Sequence, residues 1–143
     1  MRRKNSFIFT IVLLSFLSSI ALRQAQNPVS GTAQSPQVIG VTAKKYEFLP
    51  CEIHVKKGAR VQLKLRTDDS AHGLKLDLYP EGTRKDGNPG LLFDQTQDNA
   101  KVKKGQERVI EFVAARTGTY DFKCSVQCGS GHRRMIGKLI VEE

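Results

Sequence analysis

The stretch near the C-terminus of this 143-residue chain reads Cys124-Ser125-Val126-Gln127-Cys128-Gly129-Ser130-Gly131-His132-Arg133-Arg134-Met135. It places two thiols, an imidazole and a thioether in one short loop. Thiolate and thioether sulfur select soft metal ions such as copper(I), and imidazole suits copper in both oxidation states. Zinc rarely recruits a methionine, because its usual ligands are cysteine, histidine and carboxylates. The donor set therefore predicts a copper site used for redox work.

The spacing of these donors is regular. Cys128 follows Cys124 by four positions, His132 follows Cys128 by four, and Met135 follows His132 by three. Two thiolates so spaced could each bridge a pair of copper ions, and a bridged pair can share one electron with little change in bond lengths. The pattern C-x3-C-x3-H-x2-M resembles the loop of the binuclear CuA domain in heme-copper oxidase subunit II and in nitrous oxide reductase.

That family also has a histidine far upstream of the loop, and His72 is the candidate here. It lies at a strand junction, between the apolar-alternating runs 61–65 and 74–78. A ligating imidazole usually has its second nitrogen held by a hydrogen bond, so Asp69, which also matches a family position, is a candidate to orient His72.

The resemblance implies a centre with two copper ions. His72 and Met135 would bind one ion, and His132 would bind the other together with the backbone carbonyl of Val126. Both loop cysteines would bridge the pair, so the implied ligand set is His72, Cys124, Val126, Cys128, His132 and Met135.

The residues alone leave two other interpretations of the loop open. Cys124 and Cys128 could form a disulfide or a redox-active pair in an exported protein. Alternatively, a single copper could be bound with Met135 as a weak axial ligand, leaving Cys124 structural and using His72, Cys128 and His132.

Two further residues are of types that can bind metal, but we do not expect either to be a ligand. His54 stands between inward-pointing apolar residues on an apparent strand, so we expect it at the surface. Cys51 has no metal-ligand neighbours, and we expect a small, partly buried residue or an incidental free thiol.

The N-terminus has the pattern of an export signal or a single membrane anchor over residues 1–23. Arg2, Arg3 and Lys4 precede an uncharged apolar run from Asn5 to Leu22, whose length fits either interpretation. The positive charges predict that the rest of the chain is exported to a periplasmic or other extracytoplasmic space. Residues 24–37, rich in Gln, Ser, Pro, Gly and Ala, are expected to form a flexible linker before one domain at 38–143.

Short segments with one apolar face, separated by turn residues, predict an all-β domain built as an antiparallel sandwich. The resemblance implies the copper-binding form of this architecture, a cupredoxin-like Greek-key β-sandwich or barrel, over residues 37–143. The segment 79–100 lengthens the distance from His72 to Cys124, and we expect an inserted surface loop there. The predicted strands are 38–46, 52–55, 59–66, 74–78, 108–114, 119–123 and 136–142.

The charge distribution limits the classes of binding partner that we expect. Four of the 23 basic residues lie at or before Arg23, which leaves 19 against 14 acidic residues and a net charge of +5 for the rest. No aromatic platform or basic helix accompanies these charges, so nucleic acid is not an expected partner. Arg133 and Arg134 lie inside the metal loop and are expected to attract an acidic or anionic redox partner.

These features together predict an exported copper protein that carries electrons and performs no bond-making chemistry of its own. A cytochrome c or a small redox protein would donate the electron, and a terminal reductase would receive it. One alternative is a true subunit II of a small heme-copper oxidase, bound to subunit I. Another is a copper carrier or sensor that transfers the ion rather than an electron.

Overall fold

The computed structural model describes residues 35–94 and 98–143. Within these ranges the regular elements are ten strands and one 3-10 turn at His132–Arg134. The strands are β1 (Gln37–Lys44), β2 (Glu47–Leu49), β3 (Glu52–Lys56), β4 (Arg60–Thr67), β5 (His72–Leu76), β6 (Leu91–Leu92), β7 (Asn99–Val102), β8 (Glu107–Ala114), β9 (Gly118–Lys123) and β10 (Ile136–Glu142).

The strands form two five-stranded sheets. One sheet has the order β2-β1-β4-β8-β6, and the other has the order β3-β10-β9-β5-β7. Most neighbours are antiparallel, but β1 runs parallel to β4 and β3 runs parallel to β10. The expectation of a purely antiparallel sandwich is wrong for these two pairs. The chain crosses from one sheet to the other between β1 and β4, and such a crossover lets the returning strand run parallel.

Alternating apolar residues build the core between the sheets. In β4, Val61, Leu63 and Leu65 are fully buried, while the residues between them are partly exposed. Each such side chain contributes about 1.5–3 kcal/mol relative to an exposed position. The edge of Phe122 meets the ring of Phe48 at a centroid distance of 5.2 Å, which joins the two sheets across the core.

Three short strands lie where the sequence predicted none or predicted a loop. β6 and the start of β7 fall inside 79–100, and β2 begins just after the end of the predicted strand 38–46. The expectation of a single inserted loop over 79–100 is therefore wrong at its C-terminal end. Strands of two to four residues contain too few alternations for a period of two to be recognised.

The segment between β5 and β6 does keep the character of a surface loop over 81–88, where every residue is exposed. It is fastened at both ends. The backbone amide of Glu81 donates to Thr119 over 2.8 Å, and Gly90 lies directly under the ring of Tyr120.

The predictions for 1–23 and for most of the linker 24–37 concern residues outside the described ranges. In the part of the chain that the structure does describe, no helix is long and apolar enough to cross a membrane. His54 is exposed, as expected, and Cys51 is an exposed free thiol rather than a partly buried residue.

Candidate metal centre

Sheet topology brings the upstream histidine to the C-terminal loop. β5 begins at His72, and β9 ends one residue before Cys124. Because β5 and β9 are antiparallel neighbours, with Leu76 opposite Phe122, the start of one lies beside the end of the other. The loop 124–135 then closes over this end of the sheet before β10 begins.

Two thiols and two imidazoles form a continuous series at this end. Nδ1 of His72 lies 3.8 Å from Sγ of Cys124, and the two cysteine sulfurs lie 3.8 Å apart. Nδ1 of His132 lies 3.8 Å from Sγ of Cys128. Ligand atoms of His72, Cys124 and Cys128 are all within 4.8 Å of one another, and all three residues are buried.

These distances fit metal coordination. Sulfur and nitrogen held tetrahedrally at about 2.3 and 2.0 Å from one ion lie roughly 3.6 Å apart. The observed separations of 3.8 Å are close to that value and too long for a disulfide. Both cysteines are free thiols in the structure. The donor set is soft, buried and converging, so the residues fit a copper centre.

Asp69 fixes the ring of His72. Oδ1 of Asp69 lies 2.8 Å from Nε2 of His72, whose side chain is fully buried. A carboxylate at this position favours the tautomer with a proton on Nε2, which leaves the lone pair of Nδ1 facing Cys124.

The carboxyl of Asp69 is held in its charged form. Desolvation alone would raise its pKa, but hydrogen bonds from the backbone amides of Ser70 and Lys45 outweigh that effect, helped by the side chains of His72 and Thr67. The net result is a pKa well below the usual range of an aspartate. Asp69 therefore stays an acceptor for His72 throughout the physiological range of pH.

The thiol of Cys128 is held in its protonated form while no metal competes for it. Burial, followed by the neighbouring thiol of Cys124, raises the pKa of Cys128 to about 11. A metal ion must displace this proton, so loading releases protons and is favoured by higher pH.

The remaining residues of the predicted set lie around these four. The carbonyl of Val126 accepts a hydrogen bond from Sγ of Cys124 over 3.2 Å, so it faces the sulfurs. Met135 is fully buried, and its carbonyl accepts from the backbone amide of Cys124 over 3.1 Å. Arg133 and Arg134 are exposed on the 3-10 turn.

Tyr46 is a residue of this end that sequence reasoning missed. Its ring lies directly on Gly129 and Gly131, so that a Cβ at either glycine would overlap it. The preceding residue, Lys45, donates its backbone amide to Oδ2 of Asp69 over 2.8 Å. The two glycines flanking Ser130 were the sequence signal that a bulky group lies against the loop.

A hydrogen bond also joins the loop 124–135 to the edge strand β7. Oγ of Ser125 donates to Oδ1 of Asn99 over 2.6 Å. Gly73 makes room for this contact, because a Cβ there would overlap Ser125. The ligand loop is thus held from both sides, by Tyr46 and by β7.

Comparisons with known proteins agree with this fold and site. The sequence profile of a family described as a cupredoxin-like domain matches residues 7–141. Two proteins of Thermus thermophilus named cytochrome c oxidase subunit 2 are each 27% identical over 112 residues, which is 78% of this chain. The alignments span 70% of one of these relatives and 56% of the other.

Solved structures with the same fold include a blue copper protein and heme-copper oxidases. Auracyanin A of Chloroflexus aurantiacus, described as a "blue" copper protein, superposes with a TM-score of 0.56 at 18% identity and covers 75% of this chain and 99% of its own. The periplasmic domain of cytochrome oxidase subunit II of Bradyrhizobium japonicum gives 0.54 at 16% identity, covering 75% and 84%. A heme-copper terminal oxidase gives 0.55 at 23% identity, covering 76% and 66%.

The predicted all-β, cupredoxin-like architecture is thereby confirmed, and the family relationship implies copper binding. The chain belongs to the cupredoxin-like family and is related to cytochrome c oxidase subunit 2.

Proposed function

We propose that this protein is an exported electron carrier with a binuclear copper centre, which accepts electrons from a cytochrome c or a small redox protein and passes them to a terminal reductase. The observation that carries the proposal is the pairing of donors: His72 faces Cys124, His132 faces Cys128, and the two sulfurs face each other. Each imidazole meets a different thiol, which is the arrangement that two bridged ions need.

The pair of copper ions, when bound, supplies a site that gains or loses one electron shared between both metals. The protein contributes the rigidity that such a site needs. Asp69 fixes the ring of His72, the side chain of Met135 is fully buried, and the carbonyl of Val126 faces the sulfur of Cys124. Little reorganisation is required when such a preformed site changes charge.

The ligand assignment stays as the sequence resemblance implies it. His72 and Met135 serve one ion, while His132 and the carbonyl of Val126 serve the other. The short contact between Sγ of Cys124 and the carbonyl of Val126 supports a role for that backbone group. Thiolates of both cysteines would hold the pair.

The test is copper content together with electron paramagnetic resonance of the oxidised protein, purified as the cell produces it. Two coppers per chain and a hyperfine pattern shared by two nuclei are expected. A single copper with one-nucleus splitting would replace the proposal by a mononuclear cupredoxin, a fold that the auracyanin similarity also fits. The Cys124→Ser variant separates the two, since a mononuclear site that uses only Cys128 would keep its copper.

Membership of an oxidase is the second candidate, favoured by the relationship to cytochrome c oxidase subunit 2. In that role the chain would be anchored by its N-terminal segment and would pass electrons to a heme-bearing subunit I. Co-purification with a heme-bearing membrane protein is the expected result for a subunit, whereas a free carrier would be recovered alone.

A copper carrier would use the same sulfur atoms and release the ion instead of an electron. Exchange with a copper(I) chelator at fixed pH distinguishes the roles. We expect slow exchange, because the donor atoms are buried and the loop is fastened on both sides. Release within seconds at modest chelator concentration would favour the carrier.

A further inference from the structure

An open cleft of about 490 Å³ lies beside the copper end, and no prediction from the sequence used it. His72 and Val126 contribute to its wall, and the cationic side chains around it are Lys101, Lys103 and Arg108. We call it the basic cleft. It brings exposed positive charge next to a residue that contacts Cys124 at 3.8 Å.

The edge strand β7 creates one side of the basic cleft. Lys101 stands opposite Gly73 in the pairing of β7 with β5, so the two residues share a face of the sheet. The methyl Cγ2 of Val126 covers Gly73 on that same face. Lys101 therefore flanks the part of the ligand loop that carries the Val126 carbonyl.

Strand β8 supplies the other side. Arg108 pairs with the buried Leu65, so its side chain continues the inward-facing series of β8 at the open end of the sandwich. Glu107 pairs with Arg66 on the outer face, which turns its carboxylate away from the cleft. The alternation of the strand thus separates this acid from the base beside it.

The three cations of the basic cleft are not neutralised. All 14 acidic residues of the chain lie in the described ranges. None of them comes within 4.0 Å of the charged groups of Lys101, Lys103 or Arg108. Basic residues elsewhere do form ion pairs with acids, among them Lys56, Arg60, Lys123 and Lys138.

A second open cleft has a lining of mixed charge, formed by residues 75–81, Thr83, Lys85, Asp98 and Asp121. Its carboxylates at Asp77 and Asp121 pair with Lys123 and Lys138, at 3.3 and 2.7 Å. These acids are already partnered, so that cleft offers no comparable charge to a partner. The basic cleft, by contrast, has three cations and no acidic residue in its lining.

We propose that the basic cleft is the docking surface for the acidic face of the electron-transfer partner, and that this surface, rather than Arg133 and Arg134, guides the partner to His72. The inference rests on the proposed electron-transfer function. The occupant is a protein surface rather than a small anion, because the cations are exposed and spread along two strands without a buried polar pocket between them. Charge of this kind accelerates encounter and orients the partner.

The experiment is an amide chemical-shift titration of the copper(I)-loaded, isotope-labelled protein, purified as the cell produces it. The probes are soluble cytochrome b5, an acidic heme protein, and mitochondrial cytochrome c, a basic one. We expect cytochrome b5 to shift amides of residues 71–73, 101–103 and 126, and to bind at least about tenfold more tightly than cytochrome c. Shifts centred on residues 132–134, or equal binding of both probes, would overturn the proposal.

Charge reversal supplies the matched control. Lys101→Glu with Lys103→Glu is expected to weaken cytochrome b5 binding by at least about tenfold at low salt. Arg84→Glu with Lys85→Glu makes the same change in net charge on an exposed loop at the opposite end, and should leave binding within about twofold. Equal losses of cytochrome b5 binding in both variants would mean that only the net charge matters, which would contradict docking at the basic cleft.

The arginines of the metal loop are tested in the same series. Arg133→Glu with Arg134→Glu should weaken cytochrome b5 binding less than Lys101→Glu with Lys103→Glu does. Each variant is also measured for copper content and for its resonance spectrum. If the binuclear signal is absent but the shifts still map to the basic cleft, the proposed copper centre fails while the docking surface stands; the reverse pattern refutes the docking surface alone.

Discussion

Asp69 holds two parts of the copper end together through its two carboxylate oxygens. Oδ1 lies 2.8 Å from the ring of His72, and Oδ2 accepts the backbone amide of Lys45 over 2.8 Å. The second contact positions the turn that carries Tyr46, whose ring covers Gly129 and Gly131. One side chain therefore couples the proposed copper ligand His72 to the residue that packs on the loop 124–135.

Removing the charge of Asp69 should weaken copper binding. We expect Asp69→Asn to reduce copper affinity by about 10–100-fold, because an amide orients the imidazole of His72 less strongly than a carboxylate does. Competition with a copper chelator at fixed pH measures the loss. The neighbouring exposed Asp68→Asn is the control and should stay within about twofold; equal effects of the two variants would contradict the role of Asp69.

The contact between Tyr46 and the loop predicts a cost for any side chain at Gly131. Gly131→Ala should lower the free energy of unfolding by about 1–3 kcal/mol, because the new methyl group overlaps the Tyr46 ring. Denaturant titration measures this. Gly40→Ala, where a Cβ meets nothing within 4 Å, is the control. Adding Tyr46→Leu to the Gly131 variant should recover part of the loss, and no recovery would show that the overlap is not the cause.

Among the elements, short strands inside apparent loops determine how the copper end is supported. β6 pairs with β8 through Leu91 and Leu92, and β7 pairs with β5 through four residues that begin opposite His72. Both lie in or next to 79–100, where the sequence shows Gly and Pro rather than alternation. Tertiary hydrogen bonding, not local propensity, makes these residues strands.

The anchoring role of β6 can be tested at adjacent positions. Leu91 is 1% exposed and Leu92 is 46% exposed. Leu91→Ala should cost about 2–5 kcal/mol of folding free energy, because it leaves a cavity in the core. Leu92→Ala should cost less than about 0.5 kcal/mol, as is usual for exposed positions. Similar losses for both variants would mean that the segment is the surface loop predicted from its sequence.

An exposed network of side chains joins the parallel strands β3 and β10. The two ring nitrogens of His54 lie 2.9 Å from carboxylate oxygens of Glu52 and Glu142. Hydrogen bonds to Glu52 and then Glu142 raise the pKa of His54 above 6.5, and a hydrogen bond with His54 lowers the pKa of Glu142 below 4.5. Both shifts mean that folding favours the charged forms of this network.

The stability of the protein should therefore depend on pH through His54. Since its pKa is raised in the folded state, its contribution is fully present below about pH 6.5 and is lost as pH rises through the folded value. The contribution of Glu142 is present above about pH 4.5 and is lost as pH falls through its lowered pKa. The stability difference between wild type and His54→Gln should be largest between these limits and should shrink toward pH 9, as measured by denaturant titration at each pH. A constant difference would contradict the network.

For the whole molecule, we expect metal binding and folding to be coupled, because the proposed ligands lie on β5 and on the loop 124–135, far apart in the chain. Copper should stabilise the folded state by an amount that grows with the logarithm of its free concentration, about 2.7 kcal/mol at 100 times the dissociation constant, and should raise the melting temperature accordingly. A scanning calorimetry series with and without chelator measures this. Cys128→Ser should abolish the effect and Cys51→Ser should preserve it; stabilisation that survives Cys128→Ser would place the metal elsewhere.

The loop spacing and the alternation of the long strands were readable from the sequence. The donors Cys124, Cys128, His132 and Met135 lie within one short segment, so their convergence needs little tertiary information. The long strands, such as β4 and β8, bury alternate residues for long enough to show a period of two. The proposed upstream ligand was inferred from the resemblance, since nothing in spacing alone joins His72 to a loop so distant in sequence.

By itself, the sequence determined the chemistry of the donors and the architecture of the longer strands, because both depend on local order along the chain. Only the tertiary structure decided what surrounds them. Tyr46 reaches the loop, β7 becomes an edge strand beside His72, and Lys101 and Arg108 come to line the same cleft although they lie on different strands. Such contacts follow from which strands become neighbours, and that choice is made by the packing of the whole core rather than by any single segment.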